Sequence, residues 1–311
     1  MLTQNFKQLT KKNVSSAGGK GASLGEMTKV GIPVPPGFVV LASAFEQFLT
    51  ETDLNVEVDS ALKRVNPENI NSVEKASKSI QDMIYDAIMP KDIALEVTKE
   101  FAKLKTTYVA VRSSATAEDS AIASWAGELD SYLNVDKNNL LESVKKCWAS
   151  LFTPRAIFYR FEKQLHKQKV SVAVVVQKMV QSEVSGITFT VHPVTQDRNQ
   201  MIIEVGWGLG EAIVGGMITP DTYVIDKKAG KIIDKNVSEQ KTMIVRNKNG
   251  VNQVVVPKNK QVKQKITDQQ IKKIAKVFLN IEKHYKKPQD IEWAMAKGKL
   301  YIVQSRPITT L

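Results

Sequence analysis

The chain has 311 residues, 42% hydrophobic and 7% aromatic, with 44 Lys and Arg against 32 Asp and Glu for a formal charge of +12. That balance is ordinary for a globular fold and sufficient for one large or two medium cored domains, which excludes a disordered, collagen-like or small disulfide-stapled protein. Cys147 is the single cysteine, so no internal disulfide is expected and a reducing cytoplasm fits, while a polar start (residues 1–12) and no long apolar run speak against a secretory leader or a membrane span.

Near the N-terminus, residues 18–38 read GGKGASLGEMTKVGIPVPPGF. Gly18, Gly19 and Gly21 surround Lys20, and Ala22, Leu24, Met27 and Val30 carry a short helix that Gly31 and Pro33 stop. A lysine in a glycine-rich loop at a helix start can reach phosphate while backbone N–H groups and the helix end favour the anion. The stretch is no Walker A loop, since Val14 stands where the first Gly belongs and no Ser or Thr follows Lys20. Taken alone, the same triplet also suits an ordinary turn. Helical patterns follow over 42–49, 71–88 and 92–104.

A strand over 108–111 is expected to end on Arg112 and the hydroxyls Ser113, Ser114 and Thr116. The small-residue loop beyond it holds Glu118, Asp119, Ser120, Ser124, Gly127 and Ser131, before a strand over 132–135. An Arg facing a Ser/Gly loop suits a lid that closes over phosphates and excludes water. One helix is expected over 140–168 and a buried strand over 172–176. Gln177, Lys178, Met179 and Val180 then form a polar hinge whose backbone could bond an adenine edge while Met179 packs its face. Further strands are expected over 187–190, 201–205, 222–225 and 231–233, and a helix over 268–285. Helices precede a sheet-rich half, so the class is α+β.

The C-terminal residues 290–311 read DIEWAMAKGKLYIVQSRPITTL, two strands around Lys297, Gly298 and Lys299. A three-residue loop using Gly298 would set Glu292 opposite Gln304 and Asp290 opposite Arg306. It would also stack Trp293 on Val303 and Met295 on Tyr301. A strictly two-residue loop would put Glu292 and Gln304 on opposite faces. In the favoured register one face carries two carboxylates, an amide oxygen and a guanidinium, the donor set a magnesium-triphosphate group requires.

The positive charge is regional. Between Lys227 and Lys287 sixteen Lys and one Arg face Asp234, Glu239, Asp268 and Glu282, which more than accounts for the whole excess. Much of it sits on the 268–285 helix, whose Ile271, Ile274, Val277, Phe278 and Ile281 form the apolar stripe. Aromatics to stack bases are nearly absent there, so a solvated lysine face is expected and no nucleic acid partner.

In order along the chain, GGKGASLGEM, RSSATAED, ASWAGELDSYLNV, SGITFT, GWGLGEAIVGGMITPD, DIEW and VQSRP resemble the nucleotide-binding domain of the phosphoenolpyruvate synthase, pyruvate phosphate dikinase and rifamycin phosphotransferase family. The resemblance runs nearly end to end. RSSATAED and AGELDSYLNV look more like the synthase and the rifamycin enzyme than the dikinase, and QSRPIT leans towards the latter of those two. It implies an ATP-grasp fold of two lobes clamping a nucleotide, here 1–180 and 181–311. It also implies an AMP-forming phosphotransferase that moves the diphosphoryl end of ATP to a carrier histidine on another domain or chain.

Carried over residue by residue, the resemblance makes Lys20, Arg112 and Arg306 the catalytic cations. Gly127 and Ser131 would line the phosphate loop, and Gln177, Lys178 and Met179 the adenine site, with Glu211 a weaker candidate. Glu292 and Gln304 would bind Mg2+, with Asp290 beside them. His166, His192 and His284 all lack the family's Gly-Thr/Ser-His-Ala carrier context, so only the first half-reaction is expected of these residues. The ATP-binding domain of a rifamycin phosphotransferase and a non-catalytic nucleotide-binding regulator are the alternative readings.

Overall fold

The computed structural model describes residues 1–116, 130–165, 170–247 and 250–309. Gly127 and most of the expected lid lie outside them, as does His166. The backbone divides into two compact units, Met1–Lys29 with Pro36–Met179, and Val30–Pro35 with Val180–Leu311.

In the first unit the chain runs β1 (Thr3–Asn5), α1 (Val14–Lys29), β2 (Gly37–Val40), α2 (Ala42–Glu51), α3 (Leu54–Lys63), α4 (Ile70–Asp86), α5 (Lys91–Lys103), β3 (Val109–Ala115), β4 (Ser131–Val135), α6 (Leu140–Ala149), α7 (Pro154–Glu162) and β5 (Val172–Lys178). The strands form one sheet in the order β1-β2-β5-β3-β4, antiparallel throughout. Alternation along each strand gives the sheet two different faces. Phe38, Val40, Val109, Val111, Val172, Val174 and Val176 point into the main core beneath the α2, α4 and α6 helices. Val39, opposite Val175, belongs to the other face, where α1 lies so close that a Cβ on Gly21 would sit 3.0 Å from the Val39 side chain.

The helices follow their apolar spacing. Val73, Ser77, Ile80 and Ile84 of α4, and Ile93, Val97 and Phe101 of α5, recur at three- and four-residue intervals and are buried. Trp148 stacks against Phe45 and Phe48 with ring centroids 5.6 and 5.0 Å apart. Beside it Cys147 is fully buried, which pushes its thiol up to about 12.

Sequence and structure part company at several places in this unit. The single helix expected over 140–168 is broken into α6, a 3-10 turn Ser150–Phe152, and α7, because Thr153 caps the Ala156 N–H and Pro154 opens a new first turn. Strand β3 does not stop at Arg112 but carries the hydroxyl run as strand to Ala115. Strand β2 and helix α3 are additions, the former hidden in a proline-rich stretch.

The second unit continues with β6 (Val184–Phe189), β7 (Gln200–Trp207), α8 (Glu211–Val214), β8 (Asp221–Asp226), β9 (Lys231–Asn236), β10 (Thr242–Asn247), β11 (Gly250–Val255), α9 (Lys258–Gln261), α10 (Asp268–Tyr285), β12 (Gln289–Ala296) and β13 (Lys299–Pro307). Six strands form an antiparallel sheet in the order β13-β12-β6-β7-β8-β9, and β10 and β11 pair separately. Helix α10 starts at a capping box of Thr267 and Gln270 and buries Ile271, Ile274, Ala275, Phe278 and Ile281. Phe278 meets Trp293 at 6.0 Å, so α10 covers the sheet face of Ile291, Trp293 and Met295. The lysine helix thus has an apolar stripe, with Lys272, Lys273 and Lys276 exposed.

Asp221, part of the ITPD motif, is structural. It pairs with Lys265 at 2.7 Å with both side chains fully buried, and it also accepts from the Lys265 and Ser238 backbones and the Tyr223 hydroxyl. Every lone pair has a donor, as a buried carboxylate requires. The overall class is α+β, as expected.

Candidate functional site

In the first unit, helix α1 is not continuous. Gly18 sits at φ 68°, ψ 171°, a region open essentially to glycine, so Lys20 falls in the first turn of a fresh helical segment. The break presses onto β3: a Cβ on Gly18 would come within 2.1 Å of Ser114 Oγ and 2.3 Å of its carbonyl oxygen. Ser114 fastens the joint by donating to the Ala17 carbonyl at 3.0 Å and accepting from the Gly21 N–H at 3.3 Å. Lys20 Nζ donates to the Ser113 carbonyl at 2.9 Å. The Gly-Lys loop is therefore laid along β3 beside Arg112.

Arg112 is 9% exposed and pairs in register with Ser131 on one side and Val175 on the other. Its neighbours on that face are Ala110, opposite Gln177, and Ser114, opposite Ala173. Arg112, Ser114, Ser131 and Gln177 consequently share the α1 face and lie away from the helical core. Gln177 is only 2% exposed, and its amide nitrogen has no acceptor. A buried donor of this kind is rare and invites an acceptor from outside the chain, such as a ring nitrogen. Lys178 by register belongs to the opposite face and is exposed. The hinge backbone is narrower than expected: the Lys178 N–H is taken by the Pro36 carbonyl and the Met179 N–H by that of Tyr108. Only carbonyl oxygens at these two residues could meet a base edge.

In the second unit, β12 and β13 place Glu292 opposite Gln304 and Asp290 opposite Arg306. The expected loop is corrected. The turn has two residues, Lys297 and Gly298, both with positive φ (50° and 69°), as a type I′ hairpin needs. The extra residue enters as a β-bulge at Val303, which shifts the register between Glu292 and Trp293 and returns Gln304 to the Glu292 face. Trp293 accordingly pairs with Ile302 and Met295 with Leu300, not with Val303 and Tyr301.

Arg306 donates from Nε and Nη2 to the same oxygen of Asp290, at 2.9 and 2.7 Å. The other oxygen, Asp290 Oδ1, is buried without a hydrogen-bond partner. Burial pushes the Asp290 carboxyl above the usual range, Arg306 opposes this, and the Glu292 charge adds to the rise.

A residue that sequence reasoning passed over completes the face. Glu204 of β7 pairs with Ile187 of β6, which pairs with Glu292, so Glu204, Ile187, Glu292 and Gln304 form one row across four strands. Burial and the Asp290 charge both push Glu204 upward. Its signal was available as the lone carboxylate in the apolar run MIIEV.

The donor set suits magnesium on chemical grounds. It offers hard oxygens, one of them an orphaned lone-pair site, among carboxylates that repel one another. Among the described residues no three His, Cys, Asp or Glu side chains converge on one metal position.

Glu211 stands exposed at the first position of α8. Of the glycines before it, Gly208 is structural: at φ 84°, a Cβ there would lie 2.4 Å from the Ile244 carbonyl. Of the histidines, His192 Nδ1 accepts from the Val194 and Thr195 N–H groups, and His284 packs edge-on to Tyr285. Among the described residues no helix is long and apolar enough to cross a membrane.

The family profile described as "Pyruvate phosphate dikinase, AMP/ATP-binding domain" matches residues 14–311. A probable phosphoenolpyruvate synthase of Methanocaldococcus jannaschii is 47% identical over 312 residues, covering 98% of this chain and 26% of that protein. The phosphoenolpyruvate synthase of Pyrococcus furiosus is 42% identical over 357 residues, covering 98% of this chain and 43% of its own length. A rifampicin phosphotransferase of Bacillus cereus is 40% identical over 311 residues, covering 99% and 36%. The chain thus spans less than half the length of each of these relatives.

Proposed function

The chain belongs to the family of pyruvate phosphate dikinase AMP/ATP-binding domains, and from that premise we propose that it binds Mg-ATP and passes the β,γ-diphosphoryl unit to a carrier histidine, leaving AMP. The carrier lies on another domain of a longer parent protein or on another chain. In the transfer a ring nitrogen of that histidine bonds to the β-phosphorus. The bond from that phosphorus to the oxygen bridging it to the α-phosphorus breaks, and the oxygen leaves with AMP.

The observation that carries this reading is the hairpin face, where Asp290, Glu292, Gln304 and Arg306 share one side of the second unit with Glu204. Glu292 and Gln304 would hold the metal and Asp290 would stand beside them, its orphaned oxygen available to the same ion. When bound, the ion would neutralise phosphate charge and polarise the phosphoryl oxygens. Arg306, oriented by Asp290, would brace the terminal phosphates.

In the first unit, Lys20 and Arg112 would hold phosphate oxygens and stabilise the charge that grows as the bridging bond breaks. Gly127 and Ser131 would line the phosphate loop. Gln177, Lys178 and Met179 would take the adenine, with Gln177 supplying the donor; Glu211 ranks below them. Residues 1–180 and 181–311 would be the two lobes of an ATP-grasp fold. The final acceptor, pyruvate or a rifamycin, would be set by parts of the system beyond these groups.

Calorimetric titration tests the metal assignment. Glu292→Ala is expected to weaken ATP binding ~10–100-fold in magnesium, the scale of losing one bond to a charged group, and to change little in EDTA. Equal loss in both buffers would refute it.

A further inference from the structure

The second unit holds a cavity of about 470 Å3 that the nucleotide reading does not use. It lies at the end of helix α10, and two separate segments build it. Leu279, Glu282 and Lys283 come from the last turns of the helix, Lys286, Lys287 and Pro288 from the residues just past it, and Arg198 from the connection between β6 and β7. The Asp290, Glu292, Gln304 and Arg306 set takes no part in this lining. The volume lies within the range of small-molecule sites.

Its charge sets it apart. Arg198, Lys283, Lys286 and Lys287 supply four cations, all exposed, and Glu282 the one carboxylate of the lining. That carboxylate is already matched. Lys227 Nζ lies 2.8 Å from Glu282 Oε1 and 2.7 Å from Oε2, and the Thr190 hydroxyl donates to Oε1 at 3.0 Å. Asp197, next to Arg198, accepts from the Asn199 N–H at 2.8 Å and does not line the cavity. Among the described residues no ion pair or side-chain hydrogen bond engages any of the four cations. A helix C-terminus favours lysines near its end, but it gives no reason for Arg198, from another segment, to join them. The loop that carries Arg198 is held in place, since the His192 and Gln200 N–H groups each donate to the Asp197 carbonyl at 3.2 Å.

Like charges gathered around one concavity repel one another, and a compact anion of high charge relieves several repulsions at once. Phosphate-type oxygens suit both kinds of donor present, the ammonium as a point charge and the guanidinium as a fork. Leu279 and Pro288 are the apolar residues of the wall and no aromatic ring lines it, so neither an amphiphile nor a stacked base is matched. We propose that this cavity binds a small multivalent phosphate anion, of the size of inorganic pyrophosphate, separately from the nucleotide site.

Calorimetric titration of the full chain with sodium pyrophosphate in EDTA tests this, with ATP titrated in magnesium on the same proteins. The nucleotide site has phosphate ligands of its own, so paired variants isolate the cavity. Lys283→Gln with Lys286→Gln removes two cations from the wall, and Lys272→Gln with Lys273→Gln removes the same charge from exposed positions of α10 outside it. The first pair is expected to weaken pyrophosphate about tenfold, the scale of two solvent-exposed ion pairs, and the second by less than about twofold. Leu279→Trp, which narrows the cavity without changing its charge, is expected to weaken pyrophosphate as well. All three variants should keep the ATP affinity of the parent chain. Absence of pyrophosphate binding, equal loss in the two charge variants, loss of ATP affinity with the first pair, or pyrophosphate affinity that survives Leu279→Trp would each overturn the proposal. Tighter binding of a duplex oligonucleotide through the same lysines would overturn it too, by making the feature a nucleic-acid surface.

Discussion

Gly18→Ala perturbs the joint between the Gly-Lys loop and β3. The new Cβ would lie 2.1 Å from Ser114 Oγ and 2.3 Å from the Ser114 carbonyl oxygen, well inside contact distance. Rotating the serine cannot relieve both, because the carbonyl belongs to the β3 backbone, where Ser114 pairs with Ala173. The backbone at position 18 adds its own cost, since φ 68°, ψ 171° strains any residue with a Cβ by ~1–3 kcal/mol. Overpacking contributes a further ~1–3 kcal/mol. The sum, ~2–6 kcal/mol, is a large part of the ~5–15 kcal/mol that holds a typical domain. Urea unfolding should show a midpoint lowered by ~1–3 M. ATP titration should show weaker binding, since the segment must retreat and take Lys20 with it. Gly31→Ala is the control, for Gly31 has a similar φ of 78° but nothing within 4 Å of its Cβ position; it should lose only the conformational ~1–2 kcal/mol. A Gly18→Ala protein as stable as the Gly31→Ala protein, with unchanged ATP affinity, would refute the reasoning.

Two further substitutions probe what holds each unit together. Lys265→Met should destabilise by ~3–5 kcal/mol in urea unfolding, because it strands the fully buried Asp221; adding Asp221→Asn should recover much of the loss. Cys147 should resist thiol reagents at pH 8 in the folded chain, since burial pushes its thiol up to about 12. A raised folded value means this group's contribution is fully present below the unfolded pKa of about 8.5 and is lost as pH rises through that window, at up to ~1.4 kcal/mol per pH unit. The stability gap between the chain and Cys147→Ala should therefore narrow from pH 9 upward.

Helices α4, α5 and α10 are legible in the sequence because burial imposes a 3.6-residue period on them that local composition does not obscure, whereas α3 is not. The break between α6 and α7 was written in Thr153 and Pro154 but was masked by an apolar pattern that runs on past it. The hairpin is the more instructive case. The sequence pattern pairs Glu292 with Gln304, as the structure does, but for a different physical reason, since a bulge at Val303 supplies the residue expected in the turn. Bulges leave no compositional mark, whereas the two consecutive positive-φ positions at Lys297 and Gly298 did leave one in the glycine. Glu204 was missed because its role is made by pairing across β6, two strands away, and no local window contains that relation. The occupied N–H groups of Lys178 and Met179 are likewise a product of partners at Pro36 and Tyr108.

The transfer itself offers the most direct measurement. ATP labelled at the β-phosphorus is incubated with the chain in magnesium, with and without the histidine carrier domain of a phosphoenolpyruvate-synthase-like protein, and nucleotides and protein label are followed together. The account predicts little turnover by the chain alone, then AMP and β-label on the carrier histidine when the domain is added. Arg112→Ala and Arg306→Ala should slow this step more than they weaken ATP binding, because both charges act as the bridging bond breaks. ADP as the product, or brisk AMP formation by these 311 residues without any carrier, would contradict it.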